Sequence, residues 1–409
     1  MKILFLLTQD LESPAGVGRY FPWARELARL GHQVSIAALH SNYATLERKY
    51  FEIKDVEVNY VAQMHVRKQA NLKTYYPANQ LIGIAARATY ELVKAAWNSN
   101  ADIIQVGKPH PMNSIAGLMA RYLKSKLLFV DCDDFEMANI HFGGRWQKLG
   151  VHFFETTTPR YADYVSVHTK FLQKQVENLG VKRERIIYLP HGADHARFSQ
   201  TDPSKAEALR SALGLTGKQV VAFIGSLSMP SHPVDILLEA FLQVHTVLPQ
   251  TILLIVGGGE EYERLVAKAG WLGLGNAIIF KGRVPGADVP LYYQLANVAA
   301  EPVIDNPVGR SSLPLKLFES WVAGVPFVTQ DVGDRKMVLG DPPAGLLAEA
   351  GDANSLANTL IKVLSDGELA ARLRNRGYEQ AKNYSWEQLS KKMESAYLKA
   401  LSEKHGGSS

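Results

Sequence analysis

The chain has 409 residues, of which 46% are hydrophobic and 21% charged, and its formal net charge is +5. This length is typical of two domains, and the mild positive charge allows attraction to anionic small molecules or lipid without indicating a nucleic acid as partner. Cys132 is the only cysteine, which excludes an internal disulfide and a cysteine-based metal cluster. No apolar run reaches transmembrane length, so we expect a cytoplasmic protein with at most peripheral membrane contact.

The first half opens with a strand, a glycine-containing loop, a helix and a second strand. The loop carries Gly16-Val-Gly18-Arg19 at the carboxyl end of the first strand, where open α/β sheets bind ligands. It is not a dinucleotide fingerprint, because Phe21 stands where glycine or alanine is required. The alternative is a tight turn that binds nothing.

Further buried strands follow at intervals typical of a parallel sheet. The predicted strands of this half are Lys2–Leu7, Gln33–Ala38, Val56–Val61, Ala101–Val106, Lys126–Val130, Ala162–His168 and Ile186–Leu189. His110 follows one strand end and is either a site residue or a structural histidine. Asp131 to Glu136 follows the next strand, but adjacent carboxylates of one segment rarely converge on one ion, so we predict no metal site. Basic and aromatic residues between Arg67 and Trp97 favour a solvated face over a membrane or acceptor surface.

The second half repeats the alternation of strands and helices. Its predicted strands are Val220–Ile224, Thr251–Val256, Ala277–Phe280, Val298–Pro302 and Val325–Thr329. Gly257-Gly-Gly259 follows one of them, but Tyr262 stands where a dinucleotide fingerprint needs glycine or alanine, which excludes an NAD-dependent dehydrogenase. The pattern predicts an α/β protein of two Rossmann-like, doubly wound lobes with a cleft between them.

A loop and helix precede the last of these strands. Ser311 or Ser312 is expected to cap the helix, and Pro314 suits its first turn. Amide groups at such a helix start favour a phosphate, and the carboxylate of Glu319, one turn further on, can accept hydrogen bonds from two vicinal hydroxyls of a ribose. These features together predict a nucleotide site. The alternative is an ordinary amphipathic helix with Glu319 on its solvated face.

The order and spacing of several short motifs resemble the GT-B glycosyltransferases of family GT4. They are Gly16-Val-Gly-Arg19, Gly31-His32, Leu189-Pro-His-Gly-Ala-Asp194, Gly257-Gly-Gly-Glu260, Phe280-Lys-Gly-Arg283, Pro314-Leu-Lys-Leu-Phe-Glu319, Gly324-Val-Pro-Phe327 and Ser385-Trp386. The resemblance implies an acceptor-binding lobe at 1–198, joined by a crossover helix at 385–403, and a nucleotide-sugar-binding lobe at 199–384.

The resemblance also implies roles for individual residues. Glu319 matches the glutamate that holds the ribose, and His110 matches a histidine that contacts the transferred sugar. Gly16 matches the loop glycine beneath the diphosphate and the sugar, and its loop neighbours Gly18 and Arg19 are expected to bind substrate with it. Leu315 and Lys316 match positions whose backbone amides contact the diphosphate, and Arg283 and Val284 match positions whose backbone frames the base. Ser311 and Ser312 lie at the start of the same segment as Glu319.

Three positions depart from the family pattern. Ser311 replaces the first glutamate of a pair, and Ser226 and His232 replace an arginine and a lysine that clamp the diphosphate. Each missing charge-assisted contact is worth about 1.5–3 kcal/mol. Arg310, Lys316 and Arg19 are candidates to compensate.

The implied function is a retaining glycosyltransferase that moves a sugar from a UDP- or GDP-linked donor to a glycan, lipid or small-molecule hydroxyl, with no cofactor and no obligatory metal. The replacement of two cations motivates an alternative, a non-catalytic GT-B subunit that binds sugar nucleotides or glycans. A sugar-nucleotide epimerase would need acid and base carboxylates in the cleft, and the sequence indicates no clear pair.

Overall fold

The computed structural model describes residues 1–69, 72–139, 144–199, 201–229 and 232–406. The chain forms two units: the first comprises Met1–Gln69, Lys73–Pro190 and Trp386–Ser409, and the second is built mainly from His191–Ser385. The family resemblance implied that the first lobe ends at residue 198, whereas in the structure the second unit already begins at His191. Arg197 belongs to this second unit, where it donates hydrogen bonds to Glu319 and to the carbonyl of Gly286.

The first unit is built on an eight-stranded sheet with the order β10-β9-β8-β7-β1-β2-β4-β3. All of its neighbouring strands pair in parallel except β3 with β4. The strands are β1 (Lys2–Leu7), β2 (Gln33–His40), β3 (Tyr50–Ile53), β4 (Val56–Gln63), β5 (Val66–Gln69), β6 (Leu72–Tyr75), β7 (Ile103–Gly107), β8 (Leu127–Cys132), β9 (Tyr164–Val167) and β10 (Ile186–Tyr188). Strands β5 and β6 form a separate two-stranded sheet.

Helices cover both faces of this sheet. They are α1 (Phe21–Arg29), α2 (Ala78–Asn98), α3 (Pro111–Lys124), α4 (Glu136–Asn139), α5 (Arg145–Tyr161), α6 (Lys170–Asn178) and the C-terminal α17 (Trp386–Gly406). Strand β1 shows why two layers form, since Phe5 packs with α1 and α17 on one face whereas Leu4 and Leu6 pack with α2 and α3 on the other. Apolar residues on both sides of a strand are typical of a parallel sheet buried between helices.

The second unit is a six-stranded parallel sheet with the order β13-β12-β11-β14-β15-β16. Its strands are β11 (Gln219–Ile224), β12 (Thr251–Val256), β13 (Ile278–Gly282), β14 (Val298–Glu301), β15 (Phe327–Gln330) and β16 (Leu346–Ala348). Its helices are α7 (His195–Phe198), α8 (Pro203–Ala212), α9 (Val234–Val247), α10 (Tyr262–Trp271), α11 (Val289–Tyr293), α12 (Pro307–Ser311), α13 (Leu315–Val322), α14 (Arg335–Leu339), α15 (Ala353–Ser365) and α16 (Gly367–Asn383). The order matches the doubly wound arrangement expected from the sequence.

The final helix, α17, packs in the first unit. The Trp386 ring stacks on Trp23 of α1 with centroids 6.3 Å apart, and its indole N–H donates to the carbonyl of Gly18 at 3.0 Å. Within the described residues, no helix combines the length and apolar character needed to cross a bilayer.

Candidate functional site

The helix that carries Glu319 starts later than the sequence indicated. Residues Pro307–Ser311 form a separate short helix capped by Asn306, and α13 begins at Leu315 with Pro314 at its N-cap. The prediction that Ser311 or Ser312 caps α13 is therefore wrong. The Ser311 hydroxyl donates to the carbonyl of Val308 at 2.9 Å, and the carbonyl of Ser312 accepts from Arg335. Among the described residues no side chain caps α13, so its first-turn amides keep the character of an anion-binding helix start.

Glu319 lies on the first full turn of α13 and is held by two partners. Arg197 Nη1 lies 2.6 Å from its Oε1, and the hydroxyl of Tyr293 donates to its Oε2 at 3.1 Å. The residue is 9% exposed. Burial and the Glu319 carboxylate raise the pKa of Tyr293 well above its ordinary value, which keeps that hydroxyl a donor. The carboxylate is thus fixed in place while each oxygen retains lone pairs that can accept from another hydroxyl.

Lys316 extends toward the loop that follows β11. Its ammonium lies 3.5 Å from Nδ1 of His232, 3.6 Å from Oε1 of Glu301 and 4.8 Å from the centroid of the Phe223 ring. Burial, together with the Lys316 and Arg335 cations, holds the pKa of His232 well below its ordinary value. His232 is therefore neutral and does not itself replace a clamping cation. Ser226, half-buried, is in the same loop.

The loops after β11 and β12 approach each other closely. Gly257 has φ of +144°, and a Cβ on it would collide with the carbonyl oxygen of Gly225, so both the conformation and the space require glycine. Arg283, after β13, donates to the carbonyl of Gly258 at 3.4 Å, and burial lowers its pKa. Val284 packs against the core of the same unit. The residues expected around a base and a diphosphate therefore lie on neighbouring loops at the carboxyl edge of one sheet.

Of the three candidate compensating cations, two have other partners. Arg310 is exposed and forms a two-bond ion pair with Asp305, with distances of 2.5 and 2.9 Å. Arg19 is fully buried in the first unit and bonds Asp131 through Nε and Nη2, both at 2.7 Å. Its remaining bonds go to the carbonyls of Leu189 and Pro190. The prediction that Arg19 binds substrate is therefore wrong, because its guanidinium is enclosed and satisfied by the protein.

The loop glycines next to Arg19 lie in a helical turn. Residues Gly16–Tyr20 form one π-helical turn instead of an open loop, a local geometry found frequently at functional sites. A Cβ on Gly16 would collide with the backbone of Asp10. The Gly16 amide donates to the hydroxyl of Ser13 at 3.1 Å, and Gly18 is buried.

His110 lies at the N-cap of α3, just after the carboxyl end of β7 in the first sheet. Its Nδ1 is 2.8 Å from the hydroxyl of Thr8 and its Nε2 is 3.2 Å from Oε2 of Glu136. Lys108 places its ammonium 2.5 Å from Asp134 and 2.9 Å from Glu136. His110 therefore belongs to a charged cluster that the sequence did not link to it.

The carboxylates of this cluster converge more closely than the sequence indicated. Asp133, Asp134 and Glu136 each place an oxygen within 4.8 Å of the others, close enough in principle to share a cation. Lys108 lies among them, at 3.4 Å from Asp133, and supplies that positive charge. Burial and the neighbouring carboxylates Asp134 and Asp131 outweigh the opposing pull of Lys108 and raise the pKa of Asp133 to about 8, whereas Lys108 and His110 outweigh burial at Glu136 and lower its pKa.

Sequence reasoning missed the residues that position the others. Arg197 and Tyr293 hold Glu319 from 122 and 26 positions away in the chain, and Glu301 faces Lys316 from 15 positions away. One signal was present for Arg197, since it follows three residues after the Leu189–Asp194 motif. Nothing in the sequence paired Glu301 with Lys316, because that contact depends on how the connection between β14 and α13 folds.

Solved structures with the same fold define the structural class. Sucrose-phosphate synthase from Thermosynechococcus elongatus superposes with a TM-score of 0.77 at 19% identity, covering 98% of this chain and 99% of that one. Anabaena HepE in complex with UDP and glucose superposes with a TM-score of 0.70 at 20% identity, covering 98% and 100%. The fold is therefore GT-B, an α/β architecture of two Rossmann-like lobes, as expected from the sequence.

Sequence comparisons then identify the family. Residues 205–380 match the family model "Glycosyl transferases group 1" and residues 15–192 match "Glycosyl transferase 4-like domain". The chain belongs to the GT4 family of GT-B glycosyltransferases.

Curated relatives cover part of the chain. A GDP-mannose-dependent alpha-(1-6)-phosphatidylinositol monomannoside mannosyltransferase of Mycolicibacterium smegmatis is 26% identical over 55% of this chain and 59% of its own length. A phosphatidyl-myo-inositol mannosyltransferase of Mycobacterium leprae is 34% identical over 44% of this chain and 47% of its own length. The matched stretch thus spans about half the length of these relatives.

Proposed function

We propose that the protein is a retaining glycosyltransferase that transfers a sugar from a nucleoside-diphosphate sugar to a hydroxyl of a glycan, lipid or small molecule. The observation that carries the proposal is the start of α13, where backbone amides, the Lys316 ammonium and the Glu319 carboxylate occur within one and a half turns. Amides and a cation suit a diphosphate, and a fixed carboxylate suits a ribose diol.

The donor is proposed to be GDP- or UDP-linked. Relatives include a GDP-mannose-dependent enzyme, and a protein of the same fold was solved with UDP and glucose. The names of the relatives also support a lipid-linked acceptor, for which a peripheral position on the cytoplasmic face of a membrane is appropriate. A role in cell-envelope or polysaccharide synthesis follows from such an acceptor.

The chemistry requires stabilisation of a leaving diphosphate. Breaking the sugar–phosphate bond develops negative charge on the diphosphate, which preorganised amides and a cation stabilise more in the transition state than in the ground state. In the front-face mechanism that the family resemblance implies, the leaving phosphate accepts the proton of the acceptor hydroxyl. This route needs neither an enzymic nucleophile nor a metal, and His110 is proposed to contact the transferred sugar.

The test replaces Glu319 with alanine. We expect Glu319→Ala to abolish measurable transfer and to weaken nucleotide binding, because the ribose loses a charged acceptor. Turnover is measured as nucleoside diphosphate released from a panel of UDP- and GDP-sugars with glycan and lipid acceptors, and thermal melting verifies the fold. Glu263→Ala, at an exposed position of α10, is the matched control. Unchanged turnover in Glu319→Ala would refute the proposal, and nucleotide binding without turnover in the wild type would favour the non-catalytic alternative.

A further inference from the structure

Lys316 is a buried cation whose partners are distant. The residue is 6% exposed, and the acceptors recorded around its ammonium are Nδ1 of His232 at 3.5 Å and Oε1 of Glu301 at 3.6 Å. Charge-assisted hydrogen bonds are normally about 2.7–2.9 Å long. The ammonium has three donors, and the protein around it offers no acceptor at that length within the described residues.

The neighbouring carboxylate is already shared. Oε2 of Glu301 accepts from Arg335 at 3.2 Å and from the hydroxyl of Thr329 at 3.1 Å. One carboxylate therefore faces two cations, and the Glu319 carboxylate nearby is paired with Arg197. These five groups, Lys316, Arg335, Arg197, Glu301 and Glu319, together carry one more positive than negative charge when all are ionised. An unbalanced buried cation is costly until an anion joins it.

The position of the ammonium depends on a glycine. A Cβ on Gly225 would lie 3.1 Å from Cε and 3.3 Å from Nζ of Lys316, so the absence of a side chain at 225 makes room for the end of the lysine. Gly225 begins the loop that contains Ser226 and His232, the two positions where the resembled family carries its clamping arginine and lysine. The Lys316 ammonium thus approaches this loop from α13, which belongs to the connection between β14 and β15.

We propose that Lys316 binds the diphosphate of the donor through its side-chain ammonium, and that it takes over the charge absent from positions 226 and 232. This inference rests on the proposed function. The neutral His232 ring lies beside the ammonium. Because Glu301 is 3.6 Å from the ammonium, a phosphate at hydrogen-bond distance would become its principal partner. Burial lowers the pKa of Lys316, and a phosphate beside it would favour the charged form.

The experiment compares a nucleoside diphosphate with the matching nucleoside. UDP, GDP and ADP, with uridine, guanosine and adenosine, are titrated calorimetrically into wild type and Lys316→Met. We expect Lys316→Met to weaken binding of the preferred diphosphate about 10- to 100-fold, the range for a charge-assisted bond, and to leave binding of the nucleoside unchanged. Lys362→Met, at an exposed position of α15, should alter neither.

Two further variants separate binding from folding. Lys316→Met combined with His232→Lys returns a cation to the family position and should recover most of the lost diphosphate affinity. In Gly225→Ala, the added methyl group would crowd the flexible end of the Lys316 side chain. We expect this variant to bind the diphosphate more weakly, with little change in melting temperature.

Equal losses for diphosphate and nucleoside, or no loss for either, would overturn the role of Lys316 alone, as would a double variant that recovers nothing. Failure of the wild type to bind any of the three diphosphates would instead overturn the proposed function, and this inference with it.

Discussion

Each unit of the protein buries a basic side chain near the carboxyl edge of its sheet, but the two are held differently. Arg19 in the first unit makes hydrogen bonds of 2.7 to 3.1 Å with Asp131 and two carbonyls. Lys316 in the second unit has acceptors at 3.5 and 3.6 Å. Both residues occur in motifs that resemble a ligand-binding family, so motif membership does not distinguish them. The distinction lies in whether the protein itself completes the coordination of the charge.

Among the changes that test this comparison, removal of the partner of Arg19 is expected to have the largest effect on stability. Asp131→Ala leaves a guanidinium buried without its counterion, and we expect a loss of about 3–5 kcal/mol in the free energy of unfolding. Urea unfolding followed by circular dichroism provides the measurement. Asp305→Ala breaks the exposed pair with Arg310 and should leave the unfolding curve unchanged. An Asp131→Ala protein as stable as the wild type would contradict the view that Arg19 depends on the protein for its counterion.

A smaller effect is expected where a cation positions a carboxylate. Arg197→Met removes the 2.6 Å bond to Glu319, and we expect kcat/KM to fall by about 10- to 100-fold, corresponding to about 1.5–3 kcal/mol. The loss should be coupled to Glu319→Gln in a double-mutant cycle, because both changes disrupt the same contact. Arg210→Met is the matched control, since Arg210 also bonds backbone carbonyls, those of Gln294 and Leu295. Additive losses for Arg197 and Glu319 would contradict the positioning role.

The sequence predicted much of the fold because its strands are short apolar runs ended by glycine or polar residues. Thr251–Val256 forms a strand with the predicted bounds. The edge strand Tyr50–Ile53 was missed because it is largely exposed and lacks an apolar run. For the candidate site, the sequence indicated the motif residues Glu319 and Lys316 but not their contacts with Arg197 and Glu301.

The missing partners share a physical cause. Glu301 ends β14, Arg197 lies in α7 and Lys316 lies in α13, and the tertiary fold brings these segments together. Local periodicity carries no information on such long-range contacts. The ion pair of Arg19 could not be predicted for the same reason, because its partner Asp131 is 112 positions away. Whether a charge is satisfied by the protein is therefore a property of the tertiary structure.

The smallest expected effect concerns Glu155, a carboxyl group in the first unit that has, within the described part of the chain, no basic side chain as its hydrogen-bond partner. Glu155 accepts from the amides of Glu136 and Met137, while burial and the charge of Glu136 raise its pKa to about 8, from about 4.3 for an exposed glutamate. The folded protein thus keeps a proton that the unfolded chain releases. Its contribution to the free energy of unfolding is therefore lost as pH rises from about 4 to about 8.

Glu155→Gln mimics the protonated side chain and removes this dependence. We expect its melting temperature to exceed that of the wild type by about 2–4 °C per kcal/mol relieved at pH 8, with little difference at pH 5, where both side chains are neutral in the folded state. Glu184→Gln, at an exposed position of the same unit, should show no such pH-dependent difference. An equal change in melting temperature at both pH values would mean that Glu155 is ionised in the folded protein. The charge of Glu155 would then be balanced by the protein itself, as that of Arg19 is.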